Sequence, residues 1–122
     1  MANVLTNVGK GITTARLRGV GTEPLNLAWG TGAGVAAITD TTLFTEGPDA
    51  RVAGASSQVT VATANDSYRV VGTIVASAAR TVTNFGLFDA LTAGNLFVKS
   101  DFAGVALAAG DGIQFTATTQ FT

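Results

Sequence analysis

The carboxylates of this sequence are the side chains that could do acid–base chemistry, because two facing acids can cleave a glycosidic bond. The candidates are Asp40, Glu46, Asp49, Asp66, Asp89, Asp101 and Asp111. Asp66 and Asp111 stand between Asn, Ser or Gly residues, where a short carboxylate accepts hydrogen bonds from backbone amides and forms a turn. Their positions favour turns over catalysis. A small acid-based hydrolase or sugar-binding domain stays as an alternative, and it requires two carboxylates about 5–10 Å apart in a pocket.

The sequence lacks the residues and motifs that most other catalytic and cofactor chemistries need. The 122 residues contain no histidine and no cysteine, which removes Ser-His and Cys-His nucleophiles and most zinc sites. The glycine-rich stretch Gly30–Gly34 follows an apparent strand but lacks the Gly-Lys-Ser/Thr of a phosphate loop and the spacing of a dinucleotide fingerprint. We therefore expect no catalytic residue, no cofactor and no bound metal.

Charge and hydropathy argue for a subunit of an assembly. Charged residues make up 12% of the chain and the net charge is −1, which argues against binding to nucleic acid, since that requires a basic face. No apolar run approaches the roughly 20 residues that a membrane-spanning helix needs, and we expect no membrane partner. Sparse surface charge also leaves little repulsion against self-association.

The elements predicted from the pattern are mostly strands. Apolar and polar residues alternate in the final segment 113–122, as in a half-buried strand. Further strands are predicted at 12–17, 25–29, 51–62, 68–76, 81–89 and 96–102, with hairpins joining 51–62 to 68–76 and 81–89 to 96–102. We predict an all-β fold, an antiparallel, jelly-roll-like β-sandwich of about seven to eight strands with one short helix. That helix is predicted from an Asp40 N-cap to a Gly47-Pro48 stop.

The aromatic residues lie inside apolar segments, and we expect them to form the core. They are Trp29 and the phenylalanines at 44, 85, 88, 97, 102, 115 and 121. Phe121 is the expected exception, because a terminal aromatic side chain has few local partners and could pack on another subunit.

Residues 1–24 are predicted to be an extended arm or an added edge strand, and residues 25–122 the sandwich domain. Four glycines interrupt the arm, so its apolar positions would gain by lying on a neighbouring surface. If the arm is extended, Arg16 and Arg18 fall on one face. Our interface candidates are Val4, Leu5, Val8, Arg16, Arg18 and Phe121.

Several segments resemble one family. They are Leu27–Gly32, Ile38–Leu43 with Glu46, Arg51-Val52, Phe85–Ala90, Leu96-Phe97 and Gly110-Asp111. Together they are similar to small virion accessory proteins of tailed bacteriophages, which include capsid decoration (cement) proteins and tail-fibre-like proteins.

The resemblance implies an all-β structural module without an active site. The hypothesis that follows is a capsid decoration protein on the outer surface of the phage head. Its partners would be the major capsid protein and further copies of itself, in a homotrimer. The alternative within the virion is a tail-fibre or baseplate adhesin.

Overall fold

A computed structural model describes residues 2–122 of the chain. It contains one helix and eight strands. The elements are β1 (Asn3–Leu5), α1 (Asn7–Leu17), β2 (Asn26–Gly30), β3 (Val52–Ala53), β4 (Ala55–Val59), β5 (Ser67–Val75), β6 (Arg80–Phe88), β7 (Leu96–Leu107) and β8 (Gly112–Gln120). Within these residues, no helix is both long and apolar enough to cross a membrane.

The strands form two antiparallel sheets. One has five strands in the order β1-β7-β6-β2-β3, and the other has three in the order β4-β5-β8. The predicted all-β sandwich with one short helix is therefore confirmed. Both predicted hairpins are also present, because β4 pairs with β5 and β6 pairs with β7.

A single glycine lets the chain pass from one sheet to the other. Gly54 separates β3 in the larger sheet from β4 in the smaller one. A Cβ added there would lie 2.5 Å from Cγ1 of Val70 and 3.0 Å from Cδ1 of Leu27. Only glycine fits this corner, which closes one side of the sandwich.

The helix α1 lies where the sequence predicted an extended strand at 12–17 and an extended arm over 1–24. The Thr6 hydroxyl caps it by accepting the amide of Gly9 at 2.8 Å. The helix approaches β7 so closely that a Cβ on Gly9 would lie 2.1 Å from the Phe97 carbonyl oxygen. The extended-arm prediction is wrong for these residues, because packing against β7 outweighs the low helix propensity of glycine. Residues 3–5 do form an edge strand.

The helix predicted over residues 40–47 is absent, and this segment is part of an irregular loop. Its backbone groups bond elsewhere: the amide of Phe44 donates to the side chain of Asn84 at 3.1 Å, and the amide of Gly47 donates to the carbonyl of Trp29 at 2.9 Å. The loop covers the outer face of the larger sheet, where Leu43 packs with Phe88. That cover explains why every residue of β2 is buried.

The core between the sheets is aromatic, as predicted. Trp29, Phe97 and Phe115 are buried, and Phe85 and Phe102 pack against them while half-buried. Phe88 is buried on the other face of the larger sheet, under the loop. Phe121 is 43% exposed, as expected for the one aromatic residue that was predicted to lie outside the core.

Candidate functional site

An open apolar groove runs between the sheets on the side opposite the Gly54 corner. It has a volume of about 720 Å³ and lies between β8 of the smaller sheet and β1 and β7 of the larger one. Its apolar lining includes Val4, Leu5, Phe85, Phe102, Val105 and Phe115. Phe85, Phe102 and Val105 keep part of their surface in solvent, which is unfavourable for apolar side chains unless something covers them.

The β8 strand bordering this groove has a free hydrogen-bonding edge. It pairs with β5 along its whole length without a register shift, and no other strand within residues 2–122 pairs with it. The backbone bonds that continue this ladder use odd-numbered residues: Phe121 donates to Asp66, and Asp111 accepts from Ala76. Since backbone groups alternate sides along an antiparallel strand, the N–H and C=O groups of Gln114, Thr116, Thr118 and Gln120 point to the free edge.

This edge carries no charge and no proline. Residues 112–122 contain neither Asp, Glu, Lys, Arg nor Pro. Natural proteins use lysine, proline or bulges to keep an exposed strand edge from pairing with another chain. The β8 edge has none of these protections, so it is competent to accept a further strand.

The only charged side chain lining the groove among the described residues is Lys99, and its ammonium group is already bound. Its Nζ donates to Oδ2 of Asp40 at 3.0 Å and to the carbonyl of Thr42 at 2.8 Å, and lies 3.3 Å from the centre of the Phe44 ring. Burial disfavours the Asp40 carboxylate, but the amide of Ala37 and the Lys99 ammonium outweigh it and lower the pKa of Asp40. This ion pair fixes the loop to the sheet and leaves the groove neutral.

A second charged cluster fixes the opposite end of the loop. Asp49 accepts hydrogen bonds from Arg80, from Ser77 and from Nε1 of Trp29. The hydrogen bond from Arg80 is the main reason that the pKa of Asp49 lies well below its usual range, although burial opposes it. These contacts join the loop to β2 and β6, which makes the cluster structural.

The remaining candidate acids are dispersed, each bound to its own neighbours. Glu46 pairs with Arg51, and Asp89 accepts from the amide and side chain of Asn95. Asp101 accepts from the amide of Ala36. The other two occupy turns: Asp66 accepts three amides of residues 61–63, and Asp111 accepts the amide of Ala108.

No acid lines the groove among residues 2–122, and no three His, Cys, Asp or Glu side chains come together there as a metal site. The carboxylates that could hydrolyse a glycoside are therefore separated from the groove. The groove itself has a neutral lining beside a free strand edge.

The predicted interface residues fall into separate places. Val4 and Leu5 line the groove, and Phe121 follows directly on β8. Arg16 belongs to α1 and Arg18 is its C-cap. The shared face of the two arginines was expected only for an extended chain; that condition is not met, and residues two apart on a helix point in different directions.

Val8 lies on α1 beside a smaller depression of about 380 Å³, which Asp89 and Asn95 also line. Arg16 donates to the carbonyl of Gly21 at 2.9 Å, so its guanidinium partly serves the turn after the helix. Leu17, the last residue of α1, is 82% exposed, and Val20, three residues beyond it, is 47% exposed.

Sequence reasoning missed Val105 and the free edge at Thr116, and it placed Phe102 in the core without predicting that it borders a groove. Phe102 and Val105 belong to a strand predicted to end at residue 102, whereas β7 continues to Leu107. A signal for the edge is present in the sequence, because an uncharged, alternating strand without proline is typical of an unprotected edge. Which side of β8 is open depends on the strand order.

No protein-family model matches this chain, and none of the curated proteins is significantly similar to it in sequence.

Proposed function

We propose that this protein is a structural subunit of a tailed-bacteriophage particle, and specifically a capsid decoration protein that binds the outer surface of the head. The observation that carries the proposal is the neutral apolar groove beside the unpaired β8 edge. A surface of this kind binds another polypeptide by burying apolar area and by adding backbone hydrogen bonds. The resemblance of residues 27–111 to phage virion accessory proteins is the reason for proposing a phage particle.

The distribution of charge supports a role in assembly. Arg51, Arg80 and Lys99 are each held in an ion pair within the chain. Arg51 also lies over the ring of Phe88 at 3.7 Å and donates to the carbonyls of Ala90 and Ala93. With these cations used internally and a net charge of −1, the outer surface opposes close packing of many copies only weakly.

Self-association into a homotrimer belongs to the same proposal. The exposed Leu17 and Val20 at the end of α1 offer an apolar contact between copies, next to Arg16 and Arg18. This surface lies on the helix and is separate from the groove. One chain could then bind its neighbours and the shell at the same time, which joins adjacent capsomers.

The function is tested on purified heads that have been stripped of this protein and then decorated again. Decorated heads should survive higher temperature and stronger osmotic shock than stripped heads, because opening the shell would also require breaking the added interfaces. If stripped and decorated heads burst under the same conditions, the protein does not clamp the shell.

A further inference from the structure

We infer that the groove is a strand-acceptor site: a single extended segment of the shell protein pairs with the free edge of β8 and buries alternate apolar side chains in the groove. The inference rests on the proposed function only for the source of the strand. The acceptor itself follows from the geometry of β8, β7 and β1.

The free edge defines the backbone contacts. The N–H and C=O groups of Gln114, Thr116, Thr118 and Gln120 are directed outward, as derived from the ladder with β5. Adjacent strands lie about 4.8 Å apart, so a segment bonded to these groups occupies the space immediately above the groove. The nine residues of β8 span about 30 Å at roughly 3.4 Å per residue.

The groove defines the side chains of the guest. In a strand, successive side chains point to opposite faces, so every second residue of the guest would enter the space lined by Val4, Leu5, Phe102 and Val105. Apolar residues fit those positions best, because the four side chains around that space are apolar and the groove offers no free charge. The intervening residues lie beside Thr116 and Thr118 on the outer face, where both side chains are exposed, and polar or β-branched residues fit there.

The unequal size of the sheets excludes a second copy of β8 as the guest. Two β8 edges paired about a two-fold axis would place both five-stranded sheets on the same side of the joined sheet. The β1 strand of each copy lines the groove beyond β8, so the two β1 strands would occupy the same space. A lone extended segment brings no second layer and fits without this clash.

The acceptor is tested in the isolated full-length protein with a synthetic peptide of alternating threonine and valine, nine residues long. The control peptide has the same composition with the valines grouped together. By NMR, the alternating peptide should shift the amide signals of Gln114, Thr116 and Thr118 and slow their hydrogen exchange, and it should shift the methyl signals of Val4 and Leu5. Equal effects of both peptides, or no effect at β8, would overturn the acceptor site.

The source of the strand is tested with stripped heads and two variants at one position. Thr116→Pro removes an edge N–H that β5 does not use, and proline is tolerated on edge strands in this orientation. Thr116→Ala keeps the N–H. We expect Thr116→Pro to bind heads about tenfold or more weakly and Thr116→Ala to bind like the original chain. Val105→Asp, which charges an exposed groove position, provides a second variant if Thr116→Pro lowers the melting temperature.

The outcomes separate the two proposals. If the alternating peptide binds at β8 but the protein does not bind heads, the decoration function fails and the acceptor site stands. Heads that bind the original chain, Thr116→Pro and Val105→Asp equally well leave the function standing and overturn strand addition. If sedimentation shows dimers that Thr116→Pro abolishes, the guest is a second copy, and the assignment to the shell protein is wrong.

Discussion

Phe115 of β8 and Phe85 of β6 stack with their ring centres 4.4 Å apart and their planes 20° from parallel. The pair joins the two sheets at the boundary between the closed core and the open groove. On the core side, the ring centre of Phe115 lies 6.5 Å from that of Trp29. On the other side, both phenylalanines line the groove. The stack therefore holds β8 in place while its outer edge stays free.

Truncating this contact should destabilise the fold strongly. Phe115 is 7% exposed, and replacing a buried phenylalanine with alanine typically costs about 3–5 kcal/mol. We expect Phe115→Ala to lower the free energy of unfolding in urea by about that amount. Thr116→Ala, on the exposed face of the same strand, is the control and should change it by less than about 0.5 kcal/mol.

The two glycines of α1 should respond in opposite directions to alanine. A Cβ at Gly9 would collide with the Phe97 carbonyl, whereas a Cβ at Gly11 meets nothing within 4 Å. Gly11→Ala should stabilise the protein by about 0.5–1 kcal/mol, since alanine favours a helix over glycine. Gly9→Ala should destabilise it, because the helix must move away from β7. Thermal melting of both variants tests this, and a gain in stability for Gly9→Ala would contradict the close packing.

Acid should weaken the fold through Asp49. The pKa of this carboxyl is held well below its usual range, chiefly by the hydrogen bond from Arg80 and also by those from Ser77. An unfolded aspartate titrates near pH 3.9. The stabilisation is therefore complete above about pH 5 and is lost as the pH falls through the unfolded pKa towards the lower pKa of the folded protein.

The melting temperature of the original chain should thus fall as the pH is lowered from 5 to 2. Asp49→Asn should lower the free energy of unfolding at pH 7 by about 3 kcal/mol, because the Arg80 guanidinium loses the negative charge that it pairs with. Between pH 4 and 2 its melting temperature should fall less steeply than that of the original chain. Parallel pH profiles for the two proteins would show that Asp49 does not stabilise the fold in this way.

Lys99 should matter to stability although a lysine is usually dispensable. Its side chain is 1% exposed, and that of its partner Asp40 is 22% exposed. Lys99→Met keeps the apolar stem but removes the ammonium donor from the Asp40 carboxylate and the Thr42 carbonyl, at a cost of about 1–3 kcal/mol. Lys10→Met is the matched control, because Lys10 is exposed on α1. Equal unfolding free energies for both variants would remove the proposed anchoring of the loop.

The alternation of apolar and polar residues was enough to predict β8 and the two hairpins, because the pattern of buried and exposed side chains in a half-buried strand repeats every two residues. The same reasoning missed α1. Gly9 and Gly11 lower helix propensity, and the helix depends on contacts with β7, which is about 90 residues away in the sequence.

The structure of the loop over the larger sheet could also not be predicted from its local sequence. Its structure depends on Asn84 and Lys99, which come from distant strands. The groove has the same origin, since it exists only because one sheet has five strands and the other three. Two of its residues, Val4 and Leu5, were nevertheless predicted as interface residues from their apolar character.

The number of copies of this protein in a purified virion tests the proposed function most directly. A decoration protein on the outer shell should be present in hundreds of copies, and an epitope-tagged version should label the head in negative-stain images. A handful of copies with label at the tail would contradict decoration and identify a tail-fibre or baseplate component. Absence of the protein from the virion would contradict both.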